Sequence, residues 1–314
     1  MGNKNLGTIV IGSLLLLAAA LQACTPTAPT EKTQVVTTSN IVADWVREVG
    51  SDRVEVFALL RPGTDPHTFQ PGAADVARVA GADLIFTVGL GLEGAWLNRL
   101  LENAAADPAR VVALGDNVDP LLGAEEEHEG EEEEEEDHGP FDPHFWWDPL
   151  RVKKAVDEIA SRLSEVDPEG ADAYSGNGAR YGRELDSLDA RTSDRVKQIP
   201  QERRKLVTSH ETLNYFATRY GFEAVGAVIP GISTEREPSP AELAELTTKI
   251  RELGVPVIFT ETIVSDRLAF AVASETGTKI VRLHTDSLGD PRSGADTYIK
   301  MMDSNVEAIV QALK

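Results

Sequence analysis

The chain holds six histidines and a single cysteine, so metal-ligating or nucleophilic side chains have few places to reside. His128 and His138 lie in or beside a run of glutamates, and the other four histidines sit at turns or strand ends. His67 closes the turn GTDPH, and His144 lies in DPHFWWDP just ahead of a helical pattern. His210 follows the apolar run KLVTS; Asp286 follows KIVRL through His284 and Thr285. Neutral imidazole and carboxylate are borderline-to-hard donors that suit zinc, and three histidines with one aspartate complete a tetrahedral shell. Taken singly, each histidine is more commonly a surface or capping residue than a ligand. His284 lies two positions before Asp286 on an extended segment and could face the same side, which makes it an alternative ligand.

Hydrolytic chemistry fits less well. His210-Glu211 begins like HExxH, the helical zinc-protease pattern, but position 214 is asparagine. No GxSxG elbow, CxxC pair or GxxxxGK[ST] loop occurs. A zinc hydrolase also needs an open coordination position, which a closed four-donor shell does not offer.

The elements that must position these residues read as alternating strands and helices, the pattern of mostly parallel sheets flanked by helices. Strands are predicted at 34–38, 54–60, 83–88, 110–114, 205–209, 222–228, 256–260 and 279–283, with helices between them. Residues 171–198, charged with sparse apolar positions, read as a long surface helix. The fold class is therefore α/β, two lobes each with a mostly parallel sheet flanked by helices, joined by a long linking helix. The expected boundaries are an N-terminal lobe at 33–166, including an acidic loop at 123–139, the linking helix at 167–200, and a C-terminal lobe at 201–314. In open α/β sheets ligands bind where loops leave the carboxyl ends of strands, and all four main candidates occupy such places, two in each lobe.

The amino terminus reads as a targeting segment. Lys4 precedes an uncharged apolar stretch, IVIGSLLLLAAAL, and then Gln22, Ala23 and Cys24, the order of a signal peptide (1–23) ending in a lipobox. The apolar run is shorter than the roughly 20 residues of a spanning helix. Lipidation accounts for Cys24, which as the only cysteine forms no intramolecular disulfide; TPTAPTEK after it suits a tether at 24–32. Removing the first 23 of 314 residues leaves 291, comfortable for two hydrophobic cores. The net charge of −22 excludes a general nucleic-acid binder. Half of it sits in EEEHEGEEEEEED at 125–137, expected to be a solvated, disordered loop in which His128 and His138 could hold a metal ion transiently.

Four segments, PGTDPHTFQP (62–71), DPHFWWDP (142–149), SHETLNYFATRYGFEAVG (209–226) with STEREPSP (233–240), and TDSLG (285–289), resemble the motifs of the zinc/manganese substrate-binding lipoproteins of ABC uptake transporters. The match runs in order over the whole mature chain. The resemblance implies His67, His144, His210 and Asp286 as metal ligands, Zn2+ as cargo with Mn2+ as alternative, and an ABC permease as partner. It further implies a monomer anchored outside the cytoplasm through Cys24. Histidine at the third ligand position, here His210, is typical of the family's zinc-type receptors. Glu211 and Glu261 are candidates to orient a histidine through its other nitrogen. A metal-buffering or adhesion lipoprotein is the competing role.

Overall fold

The computed structural model describes residues 32–123 and 139–314, with Gly2. The expected signal peptide, Cys24 and most of the tether lie outside the described residues, as do His128 and His138. Among the described residues no helix is long and apolar enough to cross a membrane.

The first lobe comprises β1 (Thr33–Thr37), α1 (Asn40–Gly50), β2 (Val54–Ala58), α2 (Ala73–Ala80), β3 (Leu84–Thr87), α3 (Gly94–Asn103), β4 (Val111–Ala113) and α4 (Pro149–Val166). Helix α5 (Ala171–Val196) leads to the second: β5 (Lys205–Thr208), α6 (Asn214–Tyr220), β6 (Glu223–Ala227), α7 (Pro240–Leu253), β7 (Val257–Glu261), α8 (Arg267–Thr276), β8 (Lys279–Leu283) and α9 (Tyr298–Leu313). Each lobe holds a four-stranded sheet, ordered β2-β1-β3-β4 in one and β6-β5-β7-β8 in the other, with every pairing parallel. Both orders reverse beside the first strand of the lobe, so the crevices for a ligand open above β1/β3 and β5/β7.

Local chemistry sets the element ends. Pro149 begins α4 behind Asp148, whose carboxylate accepts the Leu150 N–H. Ser239 and Glu242 form a capping box at the start of α7, and Gly254 ends that helix in the left-handed conformation. Strand β7, VIFTE, is buried at all five residues, as expected for a strand covered by helices on both faces.

Helix α5 is the long helix expected, with one exposed charged face and one buried face. Tyr174, Tyr181, Leu185, Leu188 and Val196 are buried, and the helix packs on α1, α4 and α9, touching both lobes. Gly178 and Gly182 face α4, where a Cβ at either would meet Ala160 or Lys153 at 3.4 Å, ordinary van der Waals contact. Arg191 forks onto Asp303 of α9 at 2.9 and 2.8 Å.

The core is also not the pair anticipated from chain length. One continuous apolar cluster runs from Val35 and Val42 through Trp45, Phe145, Trp146, Tyr181 and Tyr298 to Ile309 and Leu313. Trp45 of α1 meets Phe145 at 5.9 Å and the edge of Tyr298 of α9 at 5.6 Å. Smaller clusters cover the other sheet faces, around Ile85 and Trp96 in the first lobe and Val207 and Ile258 in the second. Helices α1, α4, α5 and α9 lie between the lobes, so their apolar faces are buried against one another.

Candidate metal centre

His144, His210 and Asp286 sit just past a strand or just ahead of a helix, and His67 lies within the loop between β2 and α2. His67 lies in the irregular loop after β2, where its N–H donates to Asp65 Oδ1 (2.9 Å) and the Trp96 indole donates to the Pro66 carbonyl (2.8 Å). His144 precedes the FWW turn that leads into α4; its backbone N–H (2.9 Å) and its Nδ1 (2.7 Å) both reach Asp142 Oδ1. His210 follows β5, and its backbone N–H (3.0 Å) and Nδ1 (2.7 Å) both reach Glu261 Oε1 at the end of β7. Asp286 follows β8, where Oδ1 accepts the Thr212 hydroxyl at 3.0 Å.

These anchors turn four donor atoms toward one point. Asp286 Oδ2 lies 3.4 Å from His210 Nε2, 3.7 Å from His67 Nε2 and 3.8 Å from His144 Nε2. The Nε2 atoms of His144 and His210 are 3.2 Å apart, and one ligand atom from each of the four residues lies within 4.8 Å of the others. Donors bound at about 2.0–2.2 Å in a tetrahedron sit roughly 3.3–3.6 Å apart, close to most of these separations. The site is shut off from solvent: His144 and His210 have no exposed surface, and His67 and Asp286 are 3% exposed.

The hydrogen bonds fix the proton positions. A carboxylate accepts only, so Nδ1 of His144 and of His210 carries a proton, and Nε2 offers its lone pair whenever the ring is neutral. With both rings neutral, two lone pairs would face each other at 3.2 Å beside a carboxylate oxygen, a repulsion that either a proton on His210 Nε2 or a bound cation relieves. Among the described residues, His67 Nδ1, His67 Nε2 and Asp286 Oδ2 have no hydrogen-bond partner, and buried polar atoms rarely remain so.

The electrostatics agree. Burial would lower the His210 pKa, but the carboxylates of Glu261 and Asp286 outweigh it and raise it to about 9. Burial would raise that of Asp286, yet the imidazoles of His210 and His144 hold it well below the usual carboxylate range. His67, desolvated and beside two other imidazoles, is pushed down despite Asp286. Without a metal ion the site favours a proton on His210; a divalent cation would take that proton's place.

Other readings from sequence divide. Glu261 orients a histidine as expected. Glu211 is not one of the clustered residues; its backbone N–H donates to the Gly231 carbonyl. Asp142, expected only as a turn residue, is also the carboxylate that holds the His144 ring. The asparagine that breaks HExxH, Asn214, donates to Asp142 Oδ2 at 3.0 Å, and Tyr215 donates to the Asp142 carbonyl at 2.6 Å. A carboxylate two residues before a histidine was the available signal for Asp142. His284 is not in the cluster; its backbone N–H and carbonyl are paired with the Asn305 amide. Trp146 and Trp147 are buried packing residues that also donate, to the Thr285 carbonyl and the Thr212 hydroxyl.

A pair of parallel-sheet lobes with a buried His/His/His/Asp cluster between them defines a cleft-type binding protein for a divalent metal ion. Residues 35–312 match the family described as zinc-uptake complex component A, periplasmic, and the chain belongs to it. That family comprises metal-binding substrate-binding proteins of ABC transporters rather than enzymes. The chain is 34% identical over 284 residues to the manganese-binding lipoprotein MntA of Halalkalibacterium halodurans, covering 90% of this chain and 89% of that protein. It is 33% identical to the manganese ABC transporter substrate-binding lipoprotein PsaA of Streptococcus pneumoniae, over 99% of both chains. The structure of the periplasmic zinc-binding protein TroA from Treponema pallidum superposes with a TM-score of 0.79 at 30% identity, covering 90% of this chain and 99% of that one.

Proposed function

We propose that this protein is the extracytoplasmic receptor of an ABC metal-uptake system, anchored as a monomer through lipidated Cys24, with His67, His144, His210 and Asp286 as the ligands of a zinc ion. The observation that carries the ligand assignment is the convergence of three Nε2 atoms and one carboxylate oxygen, all buried, with His67 Nε2 and Asp286 Oδ2 lacking a hydrogen-bond partner among the described residues. Zinc is favoured by the donor set. Thr212 occupies Oδ1 of Asp286, which leaves a single oxygen beside three imidazole nitrogens, a four-coordinate N3O shell. Manganese prefers more oxygen donors and six-coordination.

Manganese is the second reading, and the names of MntA and PsaA favour it. An Asp286 carboxylate that gave up Thr212 could bind through both oxygens and raise the coordination number. Titrating the metal-stripped mature chain with zinc and manganese in competition tests the two. Zinc should displace manganese at equal free concentrations. The reverse order would make manganese the cargo, and binding of neither would remove the receptor role.

Delivery requires the shell to be undone. The ligands are split two and two, His67 and His144 on segments of the first lobe, His210 and Asp286 on the second, so small movement between these segments breaks the shell without unfolding either sheet. Loss of uptake at low external metal in a deletion strain, restored by the gene, checks the physiological role.

A further inference from the structure

The three histidines are not held alike. His144 and His210 have their Nδ1 atoms clamped by Asp142 and Glu261, whereas neither ring nitrogen of His67 has a partner among the described residues. The position of His67 therefore depends on its loop, and that loop is gripped from the other lobe at two points. Asp65 Oδ2 accepts the hydroxyl of Thr234 at 2.6 Å, while Asp65 Oδ1 holds the His67 N–H. Four residues before His67, the Gly63 N–H donates to Ser287 Oγ at 2.8 Å; Ser287 is the neighbour of Asp286 and also accepts from Asn40 at 2.9 Å.

Resting on the receptor reading above, we infer that Asp65 and Thr234 form a latch across the cleft, which holds the His67 loop closed and sets how fast the ion leaves. The same carboxylate joins both halves of the device: one oxygen shapes the turn that presents His67, and the other ties that turn to the second lobe. A short hydrogen bond to a charged acceptor is among the stronger ones, and this one is only partly buried, so it can break without stranding a buried charge. Opening it frees the one imidazole of the three whose Nδ1 is not clamped by a carboxylate. Asp65 and Thr234 are thus positioning residues, distinct from the ligands.

The test compares zinc release from the full mature chain and its Thr234→Val, Thr234→Ala and Thr234→Ser variants, by stopped-flow mixing of the loaded protein with excess chelator. Valine and alanine remove the hydroxyl and should speed release about tenfold, with the association rate within twofold of wild type. Serine keeps the hydroxyl and should release like wild type. A general loss of packing would not be rescued by serine, and alanine avoids any clash that prevents the valine variant from folding. Wild-type release rates for both alanine and valine would overturn the latch while leaving the receptor intact. If the wild-type protein itself takes up neither zinc nor manganese, the receptor reading fails first.

Discussion

A single oxygen of Glu261 holds His210 at two points, accepting from its backbone N–H at 3.0 Å and from its Nδ1 at 2.7 Å. The other oxygen of the same carboxylate accepts the hydroxyl of Thr285, next to Asp286. Strand β7 thereby sets the tautomer and tilt of one proposed ligand and the approach of another. Glu261→Gln should retain the fold and all four donors yet weaken zinc binding about 10- to 100-fold, as should Asp142→Asn at His144. Chelator-competition titration reads this. Unchanged affinity in both variants would show that the carboxylates do not tune the imidazoles.

Alanine in place of His67, His144, His210 or Asp286 should each abolish high-affinity zinc binding. The stability of the metal-free protein should drop least at His67, whose ring makes no hydrogen bond among the described residues. Binding is measured by titration and stability by thermal melting of the stripped protein. Retention of wild-type affinity by all four variants would place the site elsewhere.

Zinc binding should expel a proton from His210 at neutral pH. The folded, metal-free pKa of about 9 lies above the ordinary imidazole value of 6.5, so the group is protonated in the stripped protein at pH 7. Apparent affinity should rise with pH up to about 9 and then level. For the metal-free fold the sign is opposite: the contribution of His210 is fully present below pH 6.5 and lost as pH rises toward 9. Calorimetry in buffers of different ionisation enthalpy counts the proton. Absence of release at pH 7 would mean that His210 is already neutral.

Asp44 of α1 accepts the Tyr298 N–H at the start of α9 with a carboxyl whose pKa burial raises to about 6. Because the folded form binds its proton more tightly than the unfolded chain, this group contributes less stability as pH rises from about 4 to 6. Asp44→Asn keeps an acceptor without the desolvated charge. It should melt higher than wild type at pH 7, with the difference closing near pH 4. Equal melting temperatures at both values would show that the charge is well solvated.

Trp45→Ala should cost about 3–5 kcal/mol, and unfolding should remain a single transition reported equally by probes in either lobe. Trp45 packs against Phe145 and Tyr298 within the cluster shared by both lobes. Two separated transitions would indicate independent cores.

The alternation of elements was legible because each strand is a short apolar run between turn residues. β5, β7 and β8 lie within a residue of the expected 205–209, 256–260 and 279–283. The four clustered residues were legible from their positions just after strands or before a helix, together with the motif resemblance. Asp142 was hidden by its own turn geometry, since a carboxylate preceding proline has a sufficient local explanation. Glu211 and Glu261 could not be separated by type; only the pairing of β5 with β7 brings position 261 beside His210. The shared core was hidden for a related reason. Apolar periodicity shows that a helix has a buried face but not which other face will cover it.

That shared core bears on how a transporter could tell a loaded receptor from an empty one. In a receptor whose lobes swing apart, overall shape carries the message. Here Trp45, Phe145 and Tyr298 bind the lobes together beneath the cleft, so a wide swing would strip apolar surface from the middle of the molecule. Little of the occupancy signal is then left for the silhouette of the protein. Under the latch proposed above, it would fall to a small patch of rim, where the turn at 63–67 meets the segment around Thr234.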